Sequence, residues 1–326
     1  ASAIAFAAVY ASTPSLIRYL TKRSSTVLDY HRREKTMVAS PGGPVIIVGI
    51  LAAEAALYGL FQNPGILAIM VASSLAFLVG WIDDMRTMGG WFKPLALAGA
   101  AVPIILLGAY DTDLTFPLFG DVQIPLLYLG LVVVMIPITG NTINSIDVLN
   151  GVASGFMVIS GLSLTIAIFI VESLDPAPNY EIALASLPLV FVALAFYRYH
   201  RLPSRIFPGD SGALAFGAMY GALAIVGQVE VIAAVALLPA VINSFLFLAS
   251  VRRIVEHREI KARPVAMTDD FRLRATDDPG APVTLVRMIL SGGPLTERQV
   301  ASAIFKLAVF AGILAIITAL MTGVRI

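Results

Sequence analysis

The chain has 326 residues, 58% of them hydrophobic and only 13% charged, where a soluble domain carries roughly 25% charged residues. Such a chain belongs in lipid, and its lack of cysteine excludes disulfides, thiolate metal sites and a cysteine nucleophile. A net charge of +1 promises no attraction to acidic partners if evenly spread, but Lys and Arg are clustered.

Apolar runs near the roughly 20 residues that cross a bilayer occur at 1–20, 44–61, 65–82, 94–109, 125–139, 152–171, 182–196, 212–226, 231–251 and 303–322. They predict an all-α polytopic membrane protein of about ten transmembrane helices, a single domain over 1–326 with a long loop at 252–300. In the first run the positive charges Arg18, Lys22 and Arg23 follow the apolar stretch, the reverse of a cleaved signal peptide, so it reads as a true span. The missing initiating Met reads as trimming. Glu54 falls inside the second run, where a hydrogen bond to a neighbouring helix is the expectation.

Basic residues fill alternate connections: Lys22, Arg23, Arg32, Arg33 and Lys35; Arg86 and Lys93; Arg198, Arg201 and Arg205; and the segment from Arg252 to Arg298. The connections around Asn63, 111–121, 172–181 and 228–230 contain no Lys or Arg. The positive-inside rule then makes the first group cytosolic and puts both termini outside, with Arg325 the one exception. Among the outside loops, 111–124 alternates weakly about a turn at Phe119-Gly120-Asp121 and predicts a small β-hairpin. On the cytosolic side, 281–290 is apolar but too short to cross, which predicts an interfacial helix.

Polar groups far apart in sequence converge on the cytosolic edge. Asp83 and Asp84 end the third run, and adjacent carboxylates repel unless a cation or hydrogen bonds offset the charge. They invite Mg²⁺ or the task of orienting and deprotonating a nucleophile, against the plainer reading of an acidic helix end in solvent. Lys93, nine residues past Asp84, reads either as a positive-inside anchor or as a phosphate ligand. Between the fifth and sixth runs stand Asn141, Asn144, Asp147 and Asn150. At roughly 100° per residue the first three share about a third of a helix circumference, so they face one point in space. Polar side chains at membrane depth point to function by default, and helix-to-helix hydrogen bonding is the alternative. Phe207-Pro208-Gly209-Asp210-Ser211-Gly212 opens the eighth run, where Asp210 is either a helix N-cap or, joined with the groups above, part of an oxygen-ligand Mg²⁺ site. The basic stretch His257-Arg258-Glu259-Ile260-Lys261-Ala262-Arg263 suits a substrate carrying phosphates, or a lipid-headgroup surface.

Taken in order, Pro41-Gly42-Gly43, Asp83-Asp84, Asn141-x-x-Asn144-x-x-Asp147-x-x-Asn150-Gly151, Phe207-x-Gly209-Asp210 and a basic last cytosolic loop resemble one family. It is the polyprenyl-phosphate N-acetylhexosamine-1-phosphate transferases, and the resemblance covers nearly the whole chain. It implies that Asn144 and Asp210 hold Mg²⁺, with Mn²⁺ the substitute, against a nucleotide diphosphate. Asp83 and Asp84 would lie near the lipid phosphate, Asp83 accepting its proton or only positioning it, with Lys93 on substrate phosphates and Asp147 among the catalytic groups. Asn141 would join the substrate-binding set, Asn150 matches the residue that reads uracil, Phe207 the aromatic that stacks on it, and His257, Arg258 and Arg263 lie in the loop that contacts diphosphate and amino sugar. Bacterial members place several histidines in that loop and Asp at the Asn150 position, whereas here His257 stands among arginines, as in the dolichyl-phosphate branch. Asp147 follows the bacterial pattern, and Val148 and Pro208 depart from both; the mixture resembles archaeal members.

The implied partners are a UDP-N-acetylhexosamine, a polyprenyl or dolichyl phosphate and membrane lipids, with no nucleic acid; a homodimer is left open. The implied reaction is attack of the lipid phosphate on the sugar-bearing phosphorus, with UMP leaving, and a double displacement through a phospho-aspartyl enzyme is the alternative. Because the second pKa of a phosphomonoester is about 6, no strong base is required. An intramembrane aspartyl protease needs a second aspartate within a facing span, and none matches. A secondary transporter predicts binding groups near mid-bilayer rather than at one edge.

Overall fold

The computed structural model describes residues 1–31, 36–86, 88–89, 91–252, 260 and 262–323, and of Asp121 the backbone alone. The chain is an all-α polytopic membrane protein trimmed with short β-hairpins. Helix α1 (Ser2–Lys22) leads into a hairpin of β1 (Thr26–Asp29) and β2 (Thr36–Ala39), in which Thr26 pairs with Ala39 and Asp29 with Thr36. Next come α2 (Gly43–Phe61) and α3 (Pro64–Met85), the latter started by Asn63, whose side chain accepts the Gly65 N–H at 2.8 Å, and by a proline at the first helical position. The fourth apolar run is broken into α4 (Phe92–Ala98), a 3₁₀ turn over Gly99–Ala101, and α5 (Val102–Leu106).

At 1.5 Å per residue these broken turns fall short of the roughly 30 Å hydrocarbon core. The hairpin of β3 (Asp113–Phe116) and β4 (Gly120–Gln123) follows them. This hairpin is the predicted one with its turn moved: Phe116 pairs with Gly120, so the chain reverses over residues 117–119, and Leu118 and Gly120 take the positive φ values of +68° and +79°. Helices α6 (Pro125–Ile146), α7 (Val152–Leu174), α8 (Glu181–His200) and α9 (Gly209–Val226) follow. The ninth run bends by 75° between α10 (Glu230–Ala236) and α11 (Leu238–Val251), where Pro239 removes a backbone donor. A third hairpin, β5 (Val265–Met267) with β6 (Leu273–Ala275), precedes the short α12 (Leu285–Ile289) and the last helix, α13 (Glu297–Thr322). Thr296 and Gln299 close a capping box at the start of α13. Among the described residues eight helices are long and apolar enough to cross a membrane, and the bent pair makes a ninth. The predicted interfacial helix is only the five residues of α12, and it turns Leu285 and Val286 into the protein while Met288 stays exposed.

Helix α9 is the axis of the bundle. It packs against α2, α3, α6 and α8, and all of Asp210–Ile225 is buried. Its glycines permit this closeness: a Cβ at Gly217 would overlap the backbone carbonyl of Thr139 on α6. Gly80 does the same from α3, where a Cβ would stand 2.5 Å from Ser211 Cα. Glu54 departs from expectation, being fully buried in α2 with neither carboxyl oxygen hydrogen-bonded among the described residues.

Candidate active site

Helix direction gathers the polar residues at the end of the bundle that carries the basic connections. The C-terminus of α3 brings Asp83 and Asp84, the start of α4 brings Lys93, the C-terminus of α6 brings Asn144, and the N-terminus of α9 brings Asp210. The Lys93 ammonium lies between two carboxylates, 2.8 Å from Asp83 Oδ2 and 2.7 Å from Asp210 Oδ1, with Lys93 and Asp83 almost completely buried. Asn144 Nδ2 donates to the same Asp210 oxygen at 2.6 Å, and Asp83 Oδ1 accepts the Met88 N–H at 2.5 Å. A buried lysine is tolerable because its charge is matched on two sides.

Asp84 does something the sequence reading did not anticipate. Its carboxylate crosses from α3 to the first turn of α9 and accepts three hydrogen bonds, from the Asp210 N–H at 2.8 Å, the Ser211 N–H at 2.9 Å and the Ser211 hydroxyl at 2.6 Å. It is a cap supplied by another helix, placed where the helix dipole favours an anion. Gly209 makes room for it, with φ at +69° and an absent Cβ that would otherwise meet Asp84 Oδ1 at 2.9 Å. Asp84 therefore fixes the backbone of Asp210.

A cavity of about 660 Å³ opens beside this cluster, lined among others by Asp84, Asn144, Asp147, Asn150, Phe207 and Asp210. Asp147 follows the last residue of α6. Burial pushes its carboxyl up to about 7; the Ala153 N–H pulls it down, and the charge of Asp210 raises it further. Asn150 is tied into a buried knot: its Nδ2 donates to Glu297 Oε1 at 2.6 Å and to Asp29 Oδ2 at 3.1 Å. Phe207 stands edge-on to His200, and its backbone joins the start of α2 to α9: the Phe207 N–H donates to Ala39 O at 2.9 Å, and Phe207 O accepts the Gly42 N–H at 2.8 Å. Asn141, in contrast, turns back on its own helix and donates to the Pro137 carbonyl at 2.9 Å. That carbonyl is its partner, and the side chain takes no place among the residues that line the cavity.

A second cavity, about 690 Å³, shares Tyr30, His31, Ser145, Val148 and Leu149 with the first. Arg263 lines it and stacks over the Tyr30 ring at 4.0 Å, joining the last loop to the first hairpin. His257 and Arg258 lie outside the described residues.

Four contributors gave no sequence signal beyond their residue type. Ser211 is a small residue beside a motif, Asp29 sits in the first hairpin and Glu297 opens α13. His200 ends α8 fully buried, with Nδ1 2.9 Å from the Ser154 hydroxyl and Nε2 3.6 Å from Asp147 Oδ1. No group of three or more His, Asp or Glu side chains with metal-ligand geometry occurs among the described residues. The oxygen donors of Asp210 and Asn144, set beside Asp83, fit a hard divalent cation that takes one or two protein ligands and completes its shell with substrate oxygens and water.

Fold and site together define a polytopic membrane protein whose buried carboxylates, amide and ammonium meet at one face of the bundle. The family model for glycosyl transferase family 4 matches residues 66–228, half of the chain, and the chain belongs to that family as a membrane-embedded transferase. A protein of Saccharolobus solfataricus, provisionally named a UDP-N-acetylglucosamine–dolichyl-phosphate N-acetylglucosaminephosphotransferase, is 23% identical over 317 residues, covering 96% of this chain and 94% of the relative. One of the same provisional name from Sulfolobus acidocaldarius is 24% identical over 321 residues, with the same coverage. A phospho-N-acetylmuramoyl-pentapeptide-transferase of Chlorobium phaeobacteroides is 27% identical over 264 residues, covering 72% of this chain and 70% of the relative.

Proposed function

We propose that this protein transfers N-acetylhexosamine 1-phosphate, with GlcNAc the first choice, from a UDP-sugar to a polyprenyl or dolichyl phosphate on the cytosolic face of the membrane. The product is the lipid-diphosphate sugar on which a glycan such as that of N-glycosylation is built. The observation that carries the reading is the Lys93 ammonium held between Asp83 and Asp210 with Asn144 on the same oxygen, at the basic end of the bundle. Near-full-length alignment to relatives named for this reaction supports the substrate class. The clustering of Lys and Arg at that end supports the sidedness.

In this reading a phosphate oxygen of the lipid attacks the sugar-bearing phosphorus, the bond from that phosphorus to the UMP oxygen breaks, and UMP leaves with the electron pair. Lys93 binds phosphate oxygens, and Asp83 orients the attacking phosphate and takes its proton where one is present. Asp84 holds the first turn of α9 and so keeps Asp210 in place. Asp210 and Asn144 would hold Mg²⁺ or Mn²⁺, which supplies charge neutralisation of the diphosphate. Phe207 and Asn150 would receive the base, and Arg263, with the loop around it, the sugar end.

The test is UMP release by purified protein given UDP-GlcNAc, polyprenyl phosphate and Mg²⁺, with UDP-GalNAc and the peptidoglycan precursor compared alongside. Turnover that EDTA abolishes and Mg²⁺ restores is expected. No turnover with any UDP-amino sugar, or full turnover by Asp210→Ala, overturns the reading.

A further inference from the structure

The hydrogen bonds of Asn150 leave it very little freedom. It is 4% exposed, Asp29 3% and Glu297 8%. The two donors of its amide go to two carboxylates, Glu297 Oε1 at 2.6 Å and Asp29 Oδ2 at 3.1 Å. Its backbone N–H donates to the same Glu297 oxygen at 2.8 Å, and its Oδ1 accepts the Ser204 N–H at 3.2 Å. A primary amide has two donors and two acceptor lone pairs, so one lone pair on Oδ1 is what these contacts leave for the cavity. Inverting the amide would set its oxygen against two carboxylates and its NH₂ against the Ser204 N–H; the network therefore dictates the orientation. Asp29 lines the cavity beside Asn150 and Phe207, while Glu297 stands behind Asn150, outside the lining. Both carboxylates come from elements remote in sequence, the β1–β2 hairpin and the first turn of α13.

Resting on the reading of this cavity as the site of the UDP-sugar, we propose that Glu297 and Asp29 are positioning residues that lock Asn150 so that it meets the base as an acceptor. Set against ring position 3, the locked Oδ1 selects uracil between the pyrimidines, because uracil N3 carries a hydrogen there. Cytosine, whose N3 carries a lone pair, is refused at that position, and its exocyclic 4-amino donor lies one ring position away. Phe207, held edge-on by His200 in the same cavity, offers a ring face and is indifferent to the choice. Selectivity thus resides in two carboxylates that never touch the base through the discriminating atom: remove either, and the Asn150 amide is free to turn its NH₂ to the cavity and accept cytosine.

The experiment is equilibrium binding of UMP and of CMP to the purified full chain in detergent or nanodiscs, with steady-state UMP release measured in parallel. Wild-type protein is expected to prefer UMP by at least about tenfold, the worth of one hydrogen bond made against one refused. Glu297→Leu and Asp29→Leu each bring the two affinities to within about threefold of one another. In the same variants KM for the UDP-sugar rises while kcat stays within about threefold of wild type, a split expected when one hydrogen bond that serves binding alone is lost. Glu297→Gln, which still offers an oxygen to both Asn150 donors, recovers most of the preference. An unchanged UMP-to-CMP ratio in folded Glu297→Leu overturns the inference. Should that variant not fold, Asp29→Leu, on a hairpin outside the helix bundle, decides alone by the same criterion. Wild-type protein that turns over UDP-GlcNAc without preferring UMP overturns this inference and leaves the function standing, whereas absence of turnover overturns the function first.

Discussion

Asp84→Asn is the most informative single change, because the wild-type contacts are complete and each can be weighed. The carboxylate accepts the Asp210 N–H at 2.8 Å on one oxygen, and the Ser211 N–H at 2.9 Å and the Ser211 hydroxyl at 2.6 Å on the other. Asparagine keeps one acceptor oxygen and sets an NH₂ in place of the second. If the oxygen stays with Asp210, the NH₂ opposes the Ser211 N–H, donor to donor, and only the hydroxyl adapts by accepting. An orphaned buried N–H costs about 1–3 kcal/mol, and loss of the anion from a helix N-terminus about 0.3–1 kcal/mol more. About 3 kcal/mol in all, expressed in the placement of Asp210, is roughly a hundredfold in turnover at 1.36 kcal/mol per tenfold. UMP release measured at saturating substrate is expected to show this as a fall in kcat. Ser211→Ala, which removes the hydroxyl alone, falls about tenfold. The double variant falls less than the product of the two, with a coupling of about 1 kcal/mol, because both changes strike one contact. Turnover of Asp84→Asn within about threefold of wild type, or strict additivity with Ser211→Ala, refutes the cross-helix cap.

Three further outcomes follow from the same geometry. Lys93→Met leaves Asp83 and Asp210 buried without the ammonium between them, and breaking a buried pair costs about 3–5 kcal/mol; UMP release is expected to fall at least about a hundredfold and thermal unfolding to come earlier, so an unaltered melting curve argues against the bridge. Asp147, held in the fold near 7 against an ordinary value of about 3.9, favours its neutral form there, so its stabilising contribution is full below about pH 4 and is lost as pH rises through about 7. Asp147→Asn stays neutral throughout, and its unfolding temperature relative to wild type should rise between about pH 5 and about pH 8; a difference that stays constant with pH rules out the shift. Glu54→Leu removes a fully buried carboxyl with no hydrogen-bond partner among the described residues, a group whose lack of partners costs about 1–3 kcal/mol. Equal or greater thermal stability with unchanged turnover is expected, and a clear loss of either shows that Glu54 performs a task the contacts do not display.

What was legible in the sequence is what depends on length and local composition. The ten apolar runs return as helices in their expected order because backbone groups in lipid have no partner but their own helix. The β3–β4 hairpin was readable from its alternation, although the turn lies about two residues before the expected Phe119-Gly120-Asp121, with Leu118 and Gly120 in the left-handed positions. The fourth and ninth runs read as straight spans, yet one is interrupted at Gly99–Ala101 and the other bends at Leu237, since apolar composition records burial and not axis direction. The β1–β2 and β5–β6 hairpins carry too few residues for a period to show. At the site, Asp83, Lys93, Asn144 and Asp210 stood out because charged and amide groups are rare beside apolar runs. That Asp84 would turn to Ser211, and Asn150 to Asp29 and Glu297, depends on helix packing across more than 100 residues of sequence, which no local pattern encodes.

The division of labour between the two adjacent aspartates follows from charge. Among the described residues, Asp83, Asp84 and Asp210 place three carboxylates at the helix ends around the ammonium of Lys93. Asp84 is answered by the first turn of α9, worth about half a positive charge, and Asp147, its carboxyl pushed up to about 7 by burial, adds about half a negative charge at neutral pH. The described cluster is thus left negative, although the proposed donor and acceptor are both phosphate anions. Residues of one sign do not gather at the binding place of a ligand of the same sign unless a cation stands between them. Lys93 cannot serve alone, since its ammonium already bridges two carboxylates, and the Arg263 guanidinium is stacked on Tyr30 beside the second cavity. Under the proposed function, the excess charge at Asp83 and Asp210 is the half of a site that a divalent cation would complete together with the substrate. By the same reasoning Asp84 is the member of the pair that can serve as a cap at the cavity's edge, because of the two it alone meets a helix N-terminus.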